Sequence, residues 1–201
     1  MNQKLKGSNI FRTFFFMPVI SSWVAVSIIW LTLLDPNVGI VNYVLGLVGL
    51  PAINWLGDPK TAMPALVLIA VWKSAGFNMV IWLAGLQSIP GELYEVASID
   101  GANRLQSFLR ITIPLLAPTT FFLAITGVIG SFQVFSPVYV LTKGGPLGAT
   151  DVAVFHIYRR AFDEFDFGYA SSQAWVLFAV IFIATLFQLW YMRRRSDEIL
   201  Y

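Results

Sequence analysis

One histidine, His156, and no cysteine make up this chain's whole stock of imidazole and thiol. A Cys/His metal cluster and a thiolate nucleophile are both beyond it. The acids Glu92 and Glu95 stand at i and i+3, a spacing that could pair two carboxylates for general acid and base work. They lie in a short polar stretch that implies no cleft, and the positive end of a helix dipole is reason enough for an acid at Glu92. His156 reads as an exposed histidine of an outer loop. The string L-T-K-G-G-P at 141–146 makes a tight turn but lacks the G-x-x-x-x-G-K-[ST] spacing of a phosphate loop. Catalysis therefore finds no set of residues to carry it.

Recognition is better served. Lys73 lies inside an apolar run, where a charge is costly unless it faces protein or water. Ala70, Lys73, Ser74 and Phe77 fall at i, i+3, i+4 and i+7, one helical stripe that joins a small residue, two polar groups and an aromatic ring. Gly127, Ser131 and Val134 form a second stripe, with Gln133 and Ser136 beside it. Such a set suits a sugar, whose C–H face is apolar and whose rim hydrogen-bonds. Snorkelling of Lys73 and close helix packing at Gly127 and Ser131 are the competing roles.

The elements that must position these residues are membrane spans. The 201 residues are 57% hydrophobic, 15% aromatic and only 12% charged, a balance that does not fit a water-facing surface. Four runs, 14–34, 63–86, 119–140 and 174–192, are long enough to cross about 30 Å of hydrocarbon as helices. Period-2 alternation is lacking, which disfavours a barrel and leaves an all-α polytopic bundle, one membrane domain over 1–201. Between the first two runs, turn signals flank an apolar stretch at 38–50 that is too short to span. It is expected to lie at the outer interface or against the bundle. Lys4, Lys6, Arg12, Arg104, Arg110, Arg193, Arg194 and Arg195 fall on one side, against Lys60, Lys143, Arg159 and Arg160 on the other. Eight against four puts both termini and the loop 87–118 in the cytoplasm, with Thr150 on the exposed outer side. A net charge of +2 from scattered basic residues gives no reason to expect nucleic acid. In the outer segment 151–172, charges interleave with aromatic rings, as on a solvated amphipathic helix or a docking surface.

The loop 87–118 is the polar insertion between two membrane-length runs and is expected to form helix, turn, helix. Glu92 and Glu95 open the first helix, Gly101 allows the break, and Pro114 and Pro118 frame entry into the next span. Glu95, Ala97, Asp100, Gly101, Ala102, Phe108, Ile111, Pro114 and Pro118 together resemble the EAA loop of permease subunits of binding-protein-dependent ABC importers. Val96 stands where the usual Glu-Ala-Ala has alanine. The L-T-K-G-G-P turn, Thr150 and F-G-Y-A-S-S at 167–172 extend the resemblance to permeases of the maltose and glycerol-phosphate type, over nearly the whole chain.

This resemblance implies an ABC importer type I fold whose loop docks as a coupling helix on an ATPase subunit, with Glu95 in an ion pair there. It implies a second permease subunit, ABC ATPase subunits and an external solute-binding protein as partners, in a prokaryotic cytoplasmic membrane. ATP and Mg would be used by the partner ATPase, and this chain would bind no cofactor. The solute would be a sugar or related polyol, moved by alternating access. Permeases of this type usually have six or more helices, and residues 2–18 resemble the run-up to their third, so the first two are expected to be missing here. A truncated or structural assembly subunit without transport of its own is the alternative reading.

Overall fold

The computed structural model describes residues 8–199, with side chains for 10–192, and its regular structure is helical throughout that range. Lys4, Lys6 and the expected anchor Arg193, Arg194 and Arg195 lie outside the described side chains. Three helices are long and apolar enough to cross a membrane, and a bent pair makes a fourth span if counted as one.

That pair replaces the continuous first span expected at 14–34. Helix α1 (Ser8–Ile20) and helix α2 (Trp23–Leu33) meet at 104°. Pro18 has no N–H for the preceding turn, and Ser22, in extended backbone, restarts the helix by accepting the Ala25 N–H at 3.1 Å. Asp35 then takes the N–H groups of Asn37 and Val38, which holds its carboxyl below the ordinary carboxylate range. Helix α3 (Ile40–Leu47) is mostly exposed and is tethered through Asn42. The Asn42 amide donates to the Pro36 and Ile53 carbonyls and accepts from the Ile53 N–H and the Trp55 indole. A surface helix pinned by one buried amide reconciles the interfacial and packed expectations.

Helix α4 (Pro59–Gln87) runs over 29 residues. Asp58 caps it and Pro59 starts it, where no N–H is needed. It touches three other elements at points chosen by residue size. A Cβ at Gly76 would sit 2.0 Å from the Phe15 carbonyl oxygen on α1, and one at Gly85 would sit 2.5 Å from Thr119 Oγ1. Trp72 meets Trp30 of α2 edge-on at 5.5 Å. Small residues let helix backbones approach where lipid gives no hydrophobic drive to association.

After α5 (Glu92–Ile99), residues 104–132 form a nearly continuous rod. It comprises α6 (Arg104–Ser107), a π-helical turn (Phe108–Thr112), α7 (Ile113–Leu115) and α8 (Ala117–Phe132). Pro118 thus sits in the first turn of the span Ala117–Leu141, and Pro114 in the first turn of the short α7 that leads into it, as expected of residues that frame its entry. Pro114 cannot donate to the Arg110 carbonyl, and the Ile113 N–H reaches back to Phe108 instead, closing the π turn. The expected third span, 119–140, breaks at Gln133 and resumes in α9 (Ser136–Leu141), so that Ala117–Leu141 crosses as a unit.

Beyond α9 come α10 (Ala153–Tyr158) and a second π turn (Arg159–Asp163). Helix α11 (Phe167–Ile199) begins seven residues before the expected 174, because Asp166 takes the Tyr169 N–H and starts it. Residues 167–172 are therefore part of a span, not of an outer loop. The core gathers near the Pro59 end of α4, where Val26, Leu34, Ala65, Leu66, Ile69, Val138, Leu141 and Phe155 pack together. Elsewhere most large apolar side chains are exposed, and none in the apolar window of α11 is buried. In water such a surface would aggregate, whereas in hydrocarbon it meets its own kind.

Gly76→Ala is expected to destabilise the fold by about 1–3 kcal/mol, because a backbone oxygen cannot yield to the new methyl. Gly130→Ala, with open space at its Cβ, should leave stability unchanged. Thermal unfolding of both variants in detergent checks the contrast, and equal melting would contradict the close approach of α1 and α4.

Candidate functional site

The loop 87–118 folds as the expected helix, turn, helix. Glu92 and Glu95 occupy the first turn of α5, where unpaired N–H groups favour an anion. The helix ends at Asp100, and Gly101 takes φ +78°, a left-handed conformation that costs glycine nothing. The Ala102 N–H then reaches the Ala97 carbonyl at 2.9 Å, while Asn103 and Gln106 cap α6 reciprocally.

No side chain of α5 is buried. Glu95 and Val96 are exposed, Ile99 is 84% exposed, and Leu105, Phe108 and Leu109 continue the apolar surface onto the rod. An acidic helix with an apolar flank, exposed in this way, is not part of the core. Ala97, Asp100, Gly101, Ala102, Arg110 and Ile111 line a concavity of about 400 Å³ beneath the turn. Pro114 is half-buried in the rod just beyond it. Glu95, Ala97, Asp100, Gly101, Ala102, Phe108, Ile111 and Pro114 thus fall on one protruding unit.

Lys73 is placed otherwise than the stripe implied. It is only 7% exposed, and its ammonium donates to the carbonyl oxygens of Pro18 and Ser21, each at 2.7 Å. The Trp23 ring lies 5.0 Å below the charge. These carbonyls belong to the joint between α1 and α2, where the broken helix leaves oxygens without N–H partners. Lys73 closes that joint and is buried within the chain instead of standing on an open stripe. Of its stripe, Ala70 is half-buried, and Ser74 and Phe77 are exposed on α4, with the Ser74 hydroxyl returned to the Val71 carbonyl.

On α8, Gly127 and Ser131 are exposed and Gly127 has open space at its Cβ, so neither packs against a helix of this chain. The Ser131 hydroxyl returns to the Val128 carbonyl. Gln133 is exposed at the break, while Val134 packs on the core instead of joining the open stripe.

Over residues 1–197 the chain matches the family described as the binding-protein-dependent transport system inner membrane component. The chain belongs to this family. It is similar to the probable ABC transporter permease protein YesP of Bacillus subtilis, at 41% identity over 92% of this chain and 61% of that protein. The trehalose/maltose transport system permease protein MalF of Thermococcus litoralis is 36% identical over 98% of this chain and 66% of its own length. The chain thus spans about two thirds of the curated relatives it matches. The crystal structure of a bacterial alginate ABC transporter, in complex with alginate pentasaccharide-bound periplasmic protein, superposes with a TM-score of 0.88 at 29% identity, covering 97% of this chain and 69% of that one.

The segment 141–164 is more structured than its sequence suggests. His156 is not a loop histidine but a residue of α10, with Nδ1 2.8 Å from Asp151 Oδ2. Arg159 also donates to that oxygen, and Glu164 links Arg159 with Arg160. Thr150 is fully buried. Its hydroxyl bonds to the Gly145 carbonyl and to Thr142, which ties down the 141–150 turn. Leu147, at 96% exposure, is the outward residue of that turn. Neither the Lys73 clasp nor the role of Tyr94, whose hydroxyl lies 2.8 Å from Thr112 Oγ1 on the rod, shows in the residue pattern. Both join residues far apart in the chain, and no local spacing reports such a contact.

Lys73→Met removes both donors and leaves two carbonyls at the joint unpaired, at about 1–3 kcal/mol for each buried orphan. A clear drop in unfolding temperature is expected for this variant and none for Ser74→Ala, whose hydroxyl serves only its own helix. Equal melting temperatures would show that the ammonium is not what closes the joint.

Proposed function

We propose that this chain is the transmembrane permease subunit of an ATP-driven importer, in which α5 and its turn couple an ABC ATPase to movement of the membrane helices. The observation that carries this reading is the exposed unit at 92–111. An acidic, apolar-flanked helix is held out of the bundle by a left-handed Gly101 turn and joined at both ends to membrane spans. Membership of a binding-protein-dependent transport family supports it. A rigid helix seated in a partner passes motion both ways, so closure of the ATPase subunits would rock the spans between inward-open and outward-open states.

The partners in this reading are a second permease subunit, ABC ATPase subunits that use ATP and Mg, an external solute-binding protein and membrane lipid. This chain would hydrolyse nothing and bind no cofactor. Relatives include permease proteins of trehalose/maltose and lactose transport systems, which supports a carbohydrate or related polyol as solute. Ser74, Phe77, Gly127, Ser131 and Gln133, exposed on α4 and at the end of α8, are the candidates to line its pathway. The protein would sit in the cytoplasmic membrane with both termini and the 87–118 loop inside.

In membranes carrying the permease pair and its ATPase, Glu95→Ala removes a charge-assisted bond worth roughly 1.5–3 kcal/mol at a buried interface. Gly101→Pro cannot take φ +78° and also loses the N–H that bonds to the Ser98 carbonyl. Each is expected to weaken co-purification of the ATPase and lower solute-stimulated hydrolysis while the permease pair stays assembled. Wild-type values in the double variant would leave a purely structural subunit as the better description.

Orientation has a separate test, made simple by the absence of native cysteine. A cysteine at Leu147 should react with an impermeant thiol reagent added to intact cells, and one at Ser98, exposed on α5, should be protected. The reverse pattern would place the coupling loop outside.

A further inference from the structure

We infer that Tyr94 is a positioning residue for energy transfer, whose bond to Thr112 makes α5 and the rod 104–132 move as one body. The inference rests on the coupling role proposed above for the 87–118 loop and adds to it a residue outside the docking surface.

Helix α5 is poorly anchored. None of its residues is buried, and the chain enters it through 88–91 and leaves it through 100–103, segments that contain Gly91 and Gly101. A helix on two glycine-bearing links would swivel when pushed and lose the displacement before it reached the membrane. Among the described residues, Tyr94 is the one α5 side chain that hydrogen-bonds another element, at 2.8 Å to the buried Thr112. The Ser98 hydroxyl, by contrast, returns to Glu95 within the helix.

Thr112 is the last residue of the π turn, closed by the Ile113 N–H on the Phe108 carbonyl because Pro114 cannot supply the ordinary bond. A π turn offsets all following residues by about one position around the helix. An uninterrupted α-helix could not hold both the α6 surface beside the Gly101 turn and the Thr112 hydroxyl beside Tyr94 in their present directions. Pro114 thereby gains a role, since it aims Thr112.

The strut also closes a loop of contacts. The rod returns to α4 where Leu116 is buried and Gly85 accommodates Thr119, so α4, α5 and the rod join at three corners. Two corners are packing and covalent connection. The third is the Tyr94–Thr112 bond, and cutting it leaves α5 attached to a still-intact pair of helices.

The test uses the full assembly of permease pair, ATPase subunits and binding protein. Tyr94→Phe, Thr112→Val, the double variant and Thr112→Ser are compared for co-purification of the ATPase and for the ratio of solute-stimulated to unstimulated hydrolysis. Spin labels on cysteines at Ser98 and Thr126 report the distance between α5 and the rod. Tyr94→Phe and Thr112→Val should each lower the ratio about fivefold, the factor one neutral hydrogen bond carries. The double variant should be no worse, Thr112→Ser should behave as wild type, and the ATPase should stay bound. The label distance distribution should broaden in the first three variants only. A wild-type ratio in Tyr94→Phe, additive losses in the double variant, loss of the ATPase or an unchanged distance distribution would each overturn the strut. If the unmodified assembly shows no solute-stimulated hydrolysis, the importer reading falls, and the label distances still decide whether Tyr94 holds α5 to the rod.

Discussion

The ammonium of Lys73, between the carbonyls of Pro18 and Ser21, is what allows an apolar span to turn through 104° without leaving backbone oxygens in hydrocarbon. A lipid environment supplies no hydrogen-bond donor, so every break in a helix must be satisfied by protein. A charge in the same environment is costly unless paired, and the two costs cancel when one group answers the other. The Trp23 ring beneath the ammonium adds a cation–π attraction that desolvation strengthens.

Helix α4 is consequently the hub of the fold. It supplies Lys73 to the joint of α1 and α2, Gly76 to the approach of α1, Trp72 to α2 and Gly85 to the rod. The two irregular segments it touches differ in kind. At the α1–α2 joint the backbone is broken and repaired by a side chain from elsewhere, which fixes one geometry. In the rod, the π turn repairs its own register and the helix runs on with its faces redirected.

The end that holds the core adds a packed apolar cluster and a polar network to its glycine contacts, such as Gly144 against Phe155. Asp151, His156, Arg159 and Glu164 link the turn before α10 to its far end, and the rings of Phe135, Tyr139, Phe155 and Tyr158 pack beneath them. The hydroxyl of Tyr139 and partial desolvation raise the Tyr158 phenol above its ordinary range. The packed core thus lies at one end of α4 and the exposed 92–111 unit follows from the other.

Composition and run length alone determined that the chain is a helical membrane protein, because span length is set by bilayer thickness. The 87–118 loop was equally legible. Its helix start at Glu92, its left-handed turn at Gly101 and its continuation all depend on residues within a few positions of one another. Periodicity could also assemble the stripe of Ala70, Lys73, Ser74 and Phe77, but it could not say what lay opposite. Only the tertiary structure decided that, by bringing residues more than fifty positions away to Lys73. The joint at 20–23, the early start of α11 and the Tyr94–Thr112 bond escaped the sequence for a related reason. An apolar run looks the same whether it continues or bends, and a hydrogen bond between distant segments leaves no spacing to read. Local chemistry fixed where helices could begin and end, and the need to satisfy buried polar groups across the bundle fixed which residues meet.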